Sequence, residues 1–372
     1  MSMVDLRGQY ERIQEEVDAA IAGVIQRADF INGEDVRAFG DELAAYNGSR
    51  FAIPCANGTD ALQIALMALG LKPGDEVIVP AFTYVASAEV IGLLGLVPVM
   101  VDVDEDTFNT SRKHLERALS SKSKAIIPVH LFGQSCDMEP ILAFAREHGL
   151  WVVEDNAQAM GAEYTFSDGR KAKTGSMGHV GCTSFFPSKN LGCFGDGGAM
   201  FTDDAELAGR LRMIANHGQE VKYRHKVLGC NSRLDTLQAA ILRVKLRHLD
   251  EYCNARRKAA RYYSERLRGI AGLRTPAETV YSTHTYHQYT LQVPGGQRDA
   301  LKEHLATQGI PSMVYYPLPL QAQEAFAPIT RAAEALDTAQ RLADSVLSLP
   351  MHTELRSEEQ DVVIEAIKTF FA

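Results

Sequence analysis

Lys189 is the most reactive candidate in this chain because of the residues around it. It lies in Thr183-Ser184-Phe185-Phe186-Pro187-Ser188-Lys189-Asn190-Leu191-Gly192, and Gly195-Asp196-Gly197-Gly198-Ala199 follows closely. An apolar segment thus delivers one amine into a turn dense with hydroxyls and glycines. Partial desolvation there lowers the amine pKa and makes it a nucleophile toward carbonyls. A solvated loop lysine is the ordinary alternative, but Phe185, Phe186, Leu191 and Phe194 are not what a solvated tip carries. Upstream, Trp151-Val152-Val153-Glu154-Asp155-Asn156-Ala157-Gln158 reads as a buried strand ending in carboxylates, where an open α/β sheet presents groups to a ligand. The same acids serve equally to cap the next helix. A third cluster, Ala56-Asn57-Gly58-Thr59-Asp60, runs straight into the amphipathic pattern Leu62, Ala65, Leu66, Leu69. Gly58 admits close backbone approach, Thr59 offers a hydroxyl, and the free amides of a helix start favour an anion. Asn57 or Thr59 acting only as a helix cap is the competing reading.

An anion cup, a strand-end aspartate and a recessed lysine together meet the needs of pyridoxal 5'-phosphate. Its phosphate requires donors, its ring nitrogen requires a carboxylate, and its aldehyde requires an amine.

The elements that must position these groups alternate in kind. Glu76–Pro80, Val97–Val101, Ala125–Val129 and Trp151–Glu154 are short, β-branched, continuously apolar runs, the pattern of parallel strands covered on both faces. Between them lie helical stretches such as Asp60–Leu69 and Met138–His148, closed by Gly70 and Gly149. This predicts an α/β domain with a mainly parallel sheet over residues 1–250. Leu234 to about Arg268 has no Gly or Pro and repeats Leu, Ala and Ile at helical spacing, which predicts one or two long helices leaving that domain. Residues 251–372 predict a small α+β domain with strands at Tyr286–Val293 and Ser312–Tyr316 and helices at Arg298–Gln308, Ala332–Leu347 and Glu358–Phe371.

Bulk properties narrow the function. The 372 residues carry a formal net charge of -9 with no basic block, which disfavours nucleic acid as a partner. No window approaches the roughly 18 apolar residues of a membrane span, and no secretory leader is visible. The six cysteines form neither CxxC pairs nor zinc spacings, so no metal site is expected and a reducing cytoplasm fits best. His217 and His225 lack a third ligand at a plausible spacing.

The chain resembles the DegT/StrS-type sugar aminotransferases from Asp5-Leu6 to Leu349-Pro350-Met351-His352. The segments that carry the resemblance are Ala56-Asn57-Gly58-Thr59-Asp60-Ala61-Leu62, Pro80-Ala81-Phe82-Thr83-Tyr84-Val85-Ala86, Val153-Glu154-Asp155-Asn156-Ala157-Gln158, Ser184-Phe185-Phe186-Pro187-Ser188-Lys189, Gly195-Asp196-Gly197-Gly198 and Asn231-Ser232-Arg233-Leu234-Asp235. The resemblance implies the fold-type-I architecture, with Lys189 as Schiff-base lysine and Asp155 on the pyridine nitrogen. It also implies Tyr84 stacked on the ring, Gln158 covering its other side, and Gly58, Thr59 and Ser184 holding the phosphate. Asn231 is implied to reach the phosphate of the neighbouring subunit, so the active unit would be a homodimer with shared active sites. Arg233 is placed to grip a carboxylate of the donor or of an acidic sugar, or else to make an ordinary ion pair at a helix start.

By the same resemblance the reaction runs in two halves, L-glutamate leaving as 2-oxoglutarate and a nucleotide-linked keto sugar then receiving the amino group. Lys189 is both Schiff-base partner and general acid/base. Within the family the chain looks most like enzymes that aminate UDP-2-acetamido-2-deoxy-3-keto-glucuronate for bacterial surface polysaccharide. One departure concerns the sugar: where relatives usually read His-Tyr-Pro, this chain has Tyr315-Tyr316-Pro317, and Tyr315 and Tyr316 are the expected substrate contacts. Amination at C4 of a UDP- or dTDP-linked 4-keto sugar is the alternative. A non-transaminating protein of the same fold is a further one; its dehydratase relatives have His where this chain has Lys189.

Overall fold

The computed structural model describes residues 1–372. Its centre is an eight-stranded sheet, built from the apolar runs because each can bury both faces. In chain order its strands are β1 (Phe51–Cys55), β2 (Glu76–Pro80), β3 (Val97–Val101), β4 (Ser123–Ile126), β5 (Trp151–Asp155), β6 (Val180–Ser184) and β7 (Gly198–Thr202). The eighth comes from much later in the chain. The spatial order is β1-β7-β6-β5-β4-β2-β3, and a two-residue strand at Arg331–Ala332 pairs parallel to β3 at the far edge. Only β7 runs against the others. The carboxyl ends of β1, β5 and β6 therefore share one rim, and Gly58, Asp155 and Ser184 stand there together.

Helices pack on both faces: α1 (Glu34–Asn47), α2 (Gly58–Ala68), α3 (Ala86–Leu93), α4 (Met138–His148), α5 (Ala205–Ala215) and α6 (Thr236–Leu246) among them. α4 ends where the sequence predicts, at Gly149 with φ 62°, a conformation a Cβ would resist. The stretch expected to be one or two long helices is two, α6 and α7 (Leu249–Leu267). No helix is long and apolar enough to cross a membrane.

A second core joins Tyr263 and Leu267 of α7 to Leu301 and Leu305 of α8 (Arg298–Thr307). Leu291 of β8 (Tyr289–Gln292) and Ile364 and Ile367 of the helix Ser357–Phe371 complete it. β8 pairs antiparallel with Val346–Leu349. Residues between these elements return to the large core: Leu320, Phe326, Leu336, Ala339 and Leu342 pack with the sheet's own side chains.

Two expectations for this region fail. Ser312–Tyr316 is not a strand; only Met313 makes a bridge, to Ser348, and the chain then turns toward the cleft between Pro311 and Pro317, which lack N–H donors for a ladder. The helix expected over Ala332–Leu347 covers only Asp337–Ser345, because Val346-Leu347-Ser348-Leu349 is buried throughout and pairs with β8 instead. β4 stops at Ile126, since Pro128 breaks the ladder, although Val129 still bridges Asp155.

Candidate active site

At the carboxyl rim lies a cleft of about 660 Å³, lined among others by Gly58, Thr59, Tyr84, Asp155, Gln158, Ser184 and Lys189. Tyr315 and Tyr316 close it from the later part of the chain. Nine of the eleven residues singled out from sequence thus meet in one space. Asn231 and Arg233 do not: Asn231 is exposed and bridges Asn216, and Arg233 lines a different cavity.

Each side chain has a local reason for its place. Asn57 is extended and caps α2, its Oδ1 accepting from Asp60 N at 2.8 Å, so the capping reading holds for Asn57. Gly58 and Thr59 then occupy the first turn, whose amides have no intrahelical acceptor. A Cβ on Gly58 would stand 2.7 Å from Ser184 Cβ, and one on Gly198 only 2.4 Å from the Asn57 carbonyl. These two glycines let the helix start press against β6 and β7.

The tandem carboxylates at the end of β5 point to opposite sides, as alternation demands. Glu154 is fully buried; it receives the N–H groups of Gly175, Met177 and Gly178 at 2.8, 2.6 and 2.5 Å and pairs with His130 at 2.8 Å. Asp155 faces the cleft. Ser87 Oγ donates to its Oδ2 at 2.7 Å and Ala157 N to its Oδ1 at 3.1 Å, which fixes the carboxylate without neutralising it. Ser87, itself 3.1 Å from Thr83 Oγ1, carried no signal in the sequence.

Lys189 rides on a tight loop between β6 and β7. Its own N–H donates to Phe186 O at 2.8 Å, and Cys193 N returns to Phe185 O at 2.8 Å. From α6 the buried Lys245 reaches in and donates to Gly192 O at 2.6 Å. Burial pulls the Lys189 amine down to about 8, against the opposing pull of Asp155. An amine so placed is a nucleophile near neutral pH.

Gln158 joins the walls, accepting from Phe132 N at 2.9 Å and donating to Tyr316 Oη at 3.0 Å. Burial pushes the Tyr316 phenol up. Tyr84, 55% exposed, has its ring centroid 6.1 Å from that of Tyr316. His287 also lines the cleft and escaped the sequence reading. It is buried with no partner for Nδ1, and burial together with the Lys189 and Arg256 charges holds its imidazole neutral. Arg256 fixes the backbone beside it, donating to Tyr286 O and Met351 O at 3.1 Å each.

Anion donors at a helix start that Gly58 lets press against Ser184, a buried carboxylate and a desolvated amine, all lining one cleft, fit pyridoxal phosphate. The profile of the DegT/DnrJ/EryC1/StrS aminotransferase family matches residues 11–368.

The chain belongs to that family.

The aminotransferases of this family depend on pyridoxal phosphate and act on sugars, and this chain is an enzyme of that class. It is 47% identical to the "Pleiotropic regulatory protein" of Geobacillus stearothermophilus over 99% of this chain and 98% of that one. It is 44% identical to the UDP-2-acetamido-2-deoxy-3-oxo-D-glucuronate aminotransferase of Pseudomonas aeruginosa, over 99% of each. The dTDP-3-amino-3,4,6-trideoxy-alpha-D-glucose transaminase of Streptomyces venezuelae is 41% identical over 98% of this chain and 94% of its own. Among solved structures, a family aminotransferase from Brucella abortus superposes with a TM-score of 0.95 at 42% identity, each chain covered fully. DesV of S. venezuelae, in complex with a ketimine intermediate, gives 0.94 at 40% identity, covering 99% and 98%. The PLP form of Spr1654, a sugar aminotransferase from Streptococcus pneumoniae, gives 0.87 at 26% identity over 95% of each chain.

Proposed function

We propose that this chain moves an amino group from L-glutamate to C3 of UDP-2-acetamido-2-deoxy-3-keto-glucuronate, for bacterial surface polysaccharide, and that it works as a homodimer. The observation that carries the reading is the meeting of Lys189, with its amine near 8, and the buried Asp155 in one cleft below the start of α2. When bound, the cofactor supplies the aldehyde that receives the amino group and the ring that stores an electron pair. Every other task falls to side chains. Lys189 Nζ, once released, takes the proton from Cα of the amino donor and hands it on. Asp155, held by Ser87 and Ala157, keeps a proton on the ring nitrogen. Gly58, Thr59 and Ser184 would hold the phosphate, and Tyr84 and the Tyr316-tethered Gln158 would bound the space for the ring.

Position 3 is supported by the names of the P. aeruginosa and S. venezuelae relatives, and the UDP and carboxylate parts by the former. Tyr315 and Tyr316 border the sugar. The homodimer is supported by apolar side chains left on the surface, Phe30, Ile31, Val221 and the 89% exposed Leu228, and by Asn231, which stands outside its own cleft. Asn231 and Arg233 then serve the neighbouring site.

The test is the back reaction with 2-oxoglutarate on a panel of UDP- and dTDP-linked 3-amino and 4-amino sugars. The UDP-linked 3-amino-glucuronate should be consumed fastest; preference for a dTDP-linked 4-amino sugar overturns the assignment. An absorbance band at about 400 nm that shifts on adding L-glutamate supports glutamate as the amino donor.

A further inference from the structure

Lys245 is 2% exposed, and the proposed reaction gives it no task. It projects from α6, and the titratable groups facing it are Cys193 of the loop between β6 and β7 and Arg256 of α7, neither of them a carboxylate. Burial pulls its amine down to about 8. A buried ammonium without an acid partner is costly, and methionine would fill the same space without that penalty. What offsets the cost is contact with the loop: Lys245 Nζ donates to Gly192 O at 2.6 Å and lies 5.5 Å from the centroid of the Phe194 ring.

Gly192 in turn presses on the stretch that carries Lys189. A Cβ there would stand 2.3 Å from the Pro187 carbonyl oxygen and 2.9 Å from that of Phe186, and the Phe186 carbonyl accepts from Lys189 N at 2.8 Å. A hold on Gly192 thus reaches Lys189 through two backbone contacts. Gln238 grips the same loop from about two turns earlier on α6, its Oε1 accepting from Phe194 N at 2.8 Å. Between the two points Cys193 is tied back to the strand end, its N and Sγ donating to Phe185 O at 2.8 and 3.0 Å. One face of α6 therefore clamps Gly192–Phe194 down on the turn from Phe186 to Lys189.

We infer that Lys245 is a positioning residue for Lys189: by holding the Gly192 carbonyl it keeps the Phe186–Lys189 turn shut and the Lys189 amine out of water. The inference rests on the reading of Lys189 as the amine that takes the cofactor. The route is mechanical, for the titratable groups facing Lys189 are Asp155 of β5 and the neutral His287 before β8, not Lys245.

The pH profile of pyridoxal phosphate uptake by the cofactor-free chain, followed by stopped-flow absorbance, reads the Lys189 amine without turnover. Lys245→Met keeps most of the side-chain bulk and removes the donor. Its rate should still be climbing about one pH unit or more beyond the wild-type plateau at about 8, as a wetter Lys189 moves toward the ordinary value of roughly 10.4. Gln238→Ala removes the second grip and no charge, and should shift the profile the same way by a smaller step; it carries the test if Lys245→Met does not fold. A lowered Tm in Lys245→Met with the plateau unmoved makes Lys245 a purely structural lysine and overturns the proposal. A wild-type profile in Gln238→Ala also overturns it, because a shift confined to Lys245→Met is then an effect of charge. Lys189→Ala separates this inference from the reading beneath it. A borohydride-stable adduct that still forms in Lys189→Ala refutes Lys189 as the cofactor's amine and the positioning role with it; uptake lost in Lys189→Ala but indifferent to Lys245 refutes the positioning role alone.

Discussion

Lys189 and Asp155 are prepared by different means, the first by removal of water and the second by two fixed donors. This gives a pH prediction. Only the neutral amine attacks an aldehyde, so the rate at which cofactor-free protein takes up pyridoxal phosphate should rise with pH and level off above about 8, the pKa of Lys189. A solvent lysine would keep accelerating toward roughly 10.4. Stopped-flow absorbance across pH 6 to 10 distinguishes the two. Lys189→Ala should abolish transamination while retaining the cofactor noncovalently, seen as a free-aldehyde spectrum that survives gel filtration; measurable turnover would contradict the assignment. Ser87→Ala removes one charge-assisted hydrogen bond, about 1.5–3 kcal/mol, and should lower kcat about ten- to a hundredfold with little change in fold by circular dichroism. Of these residues the lysine and aspartate were legible in sequence, because each stands at the end of its own apolar run. Ser87 was not, for its partner lies 68 positions away, and Lys245, 53 positions from the Gly192 carbonyl it holds, reads as one more helical cation.

At the scale of elements, what could be read was what burial alone dictates. Runs such as Glu76–Pro80 have no exposed face and so no strand-helix ambiguity once length is counted. Ser312–Tyr316 misled because its aromatic and β-branched residues fit a strand, while the prolines around it and the cleft ahead of it decided otherwise. Glu154 and Asp155 were equivalent on paper; only the pleat, and the loop Gly175–Gly178 on one side, separates clamp from cleft. The clamp matters for stability. Glu154→Ala leaves the N–H groups of Gly175, Met177 and Gly178 and the buried His130 without their acceptor, and should cost about 3–5 kcal/mol, read as a fall in Tm and in the denaturant midpoint. Gly198→Ala pushes a methyl into the Asn57 carbonyl and should cost about 1–3 kcal/mol while loosening cofactor binding, measured by equilibrium dialysis.

For the molecule as a whole, the proposed homodimer with Asn231 in the neighbour's site makes a quantitative forecast. Lys189→Ala and Asn231→Ala chains, each inactive alone, should regain up to about a quarter of wild-type activity when refolded together, since half the dimers are mixed and each has one intact site. No recovery in a mixture shown by mass spectrometry to contain heterodimers would place Asn231 in its own chain's chemistry. The sheet carries one more consequence at this scale. Arg331–Ala332 arrives from between the elements of the second core to lie along β3, where an open row of N–H and C=O groups would otherwise face outward. A chain shortened before this point would present that bare margin to its neighbours as a template, so the late segment serves as a selvedge, and a truncated product of this gene should be recognised less by lost chemistry than by its tendency to form fibres.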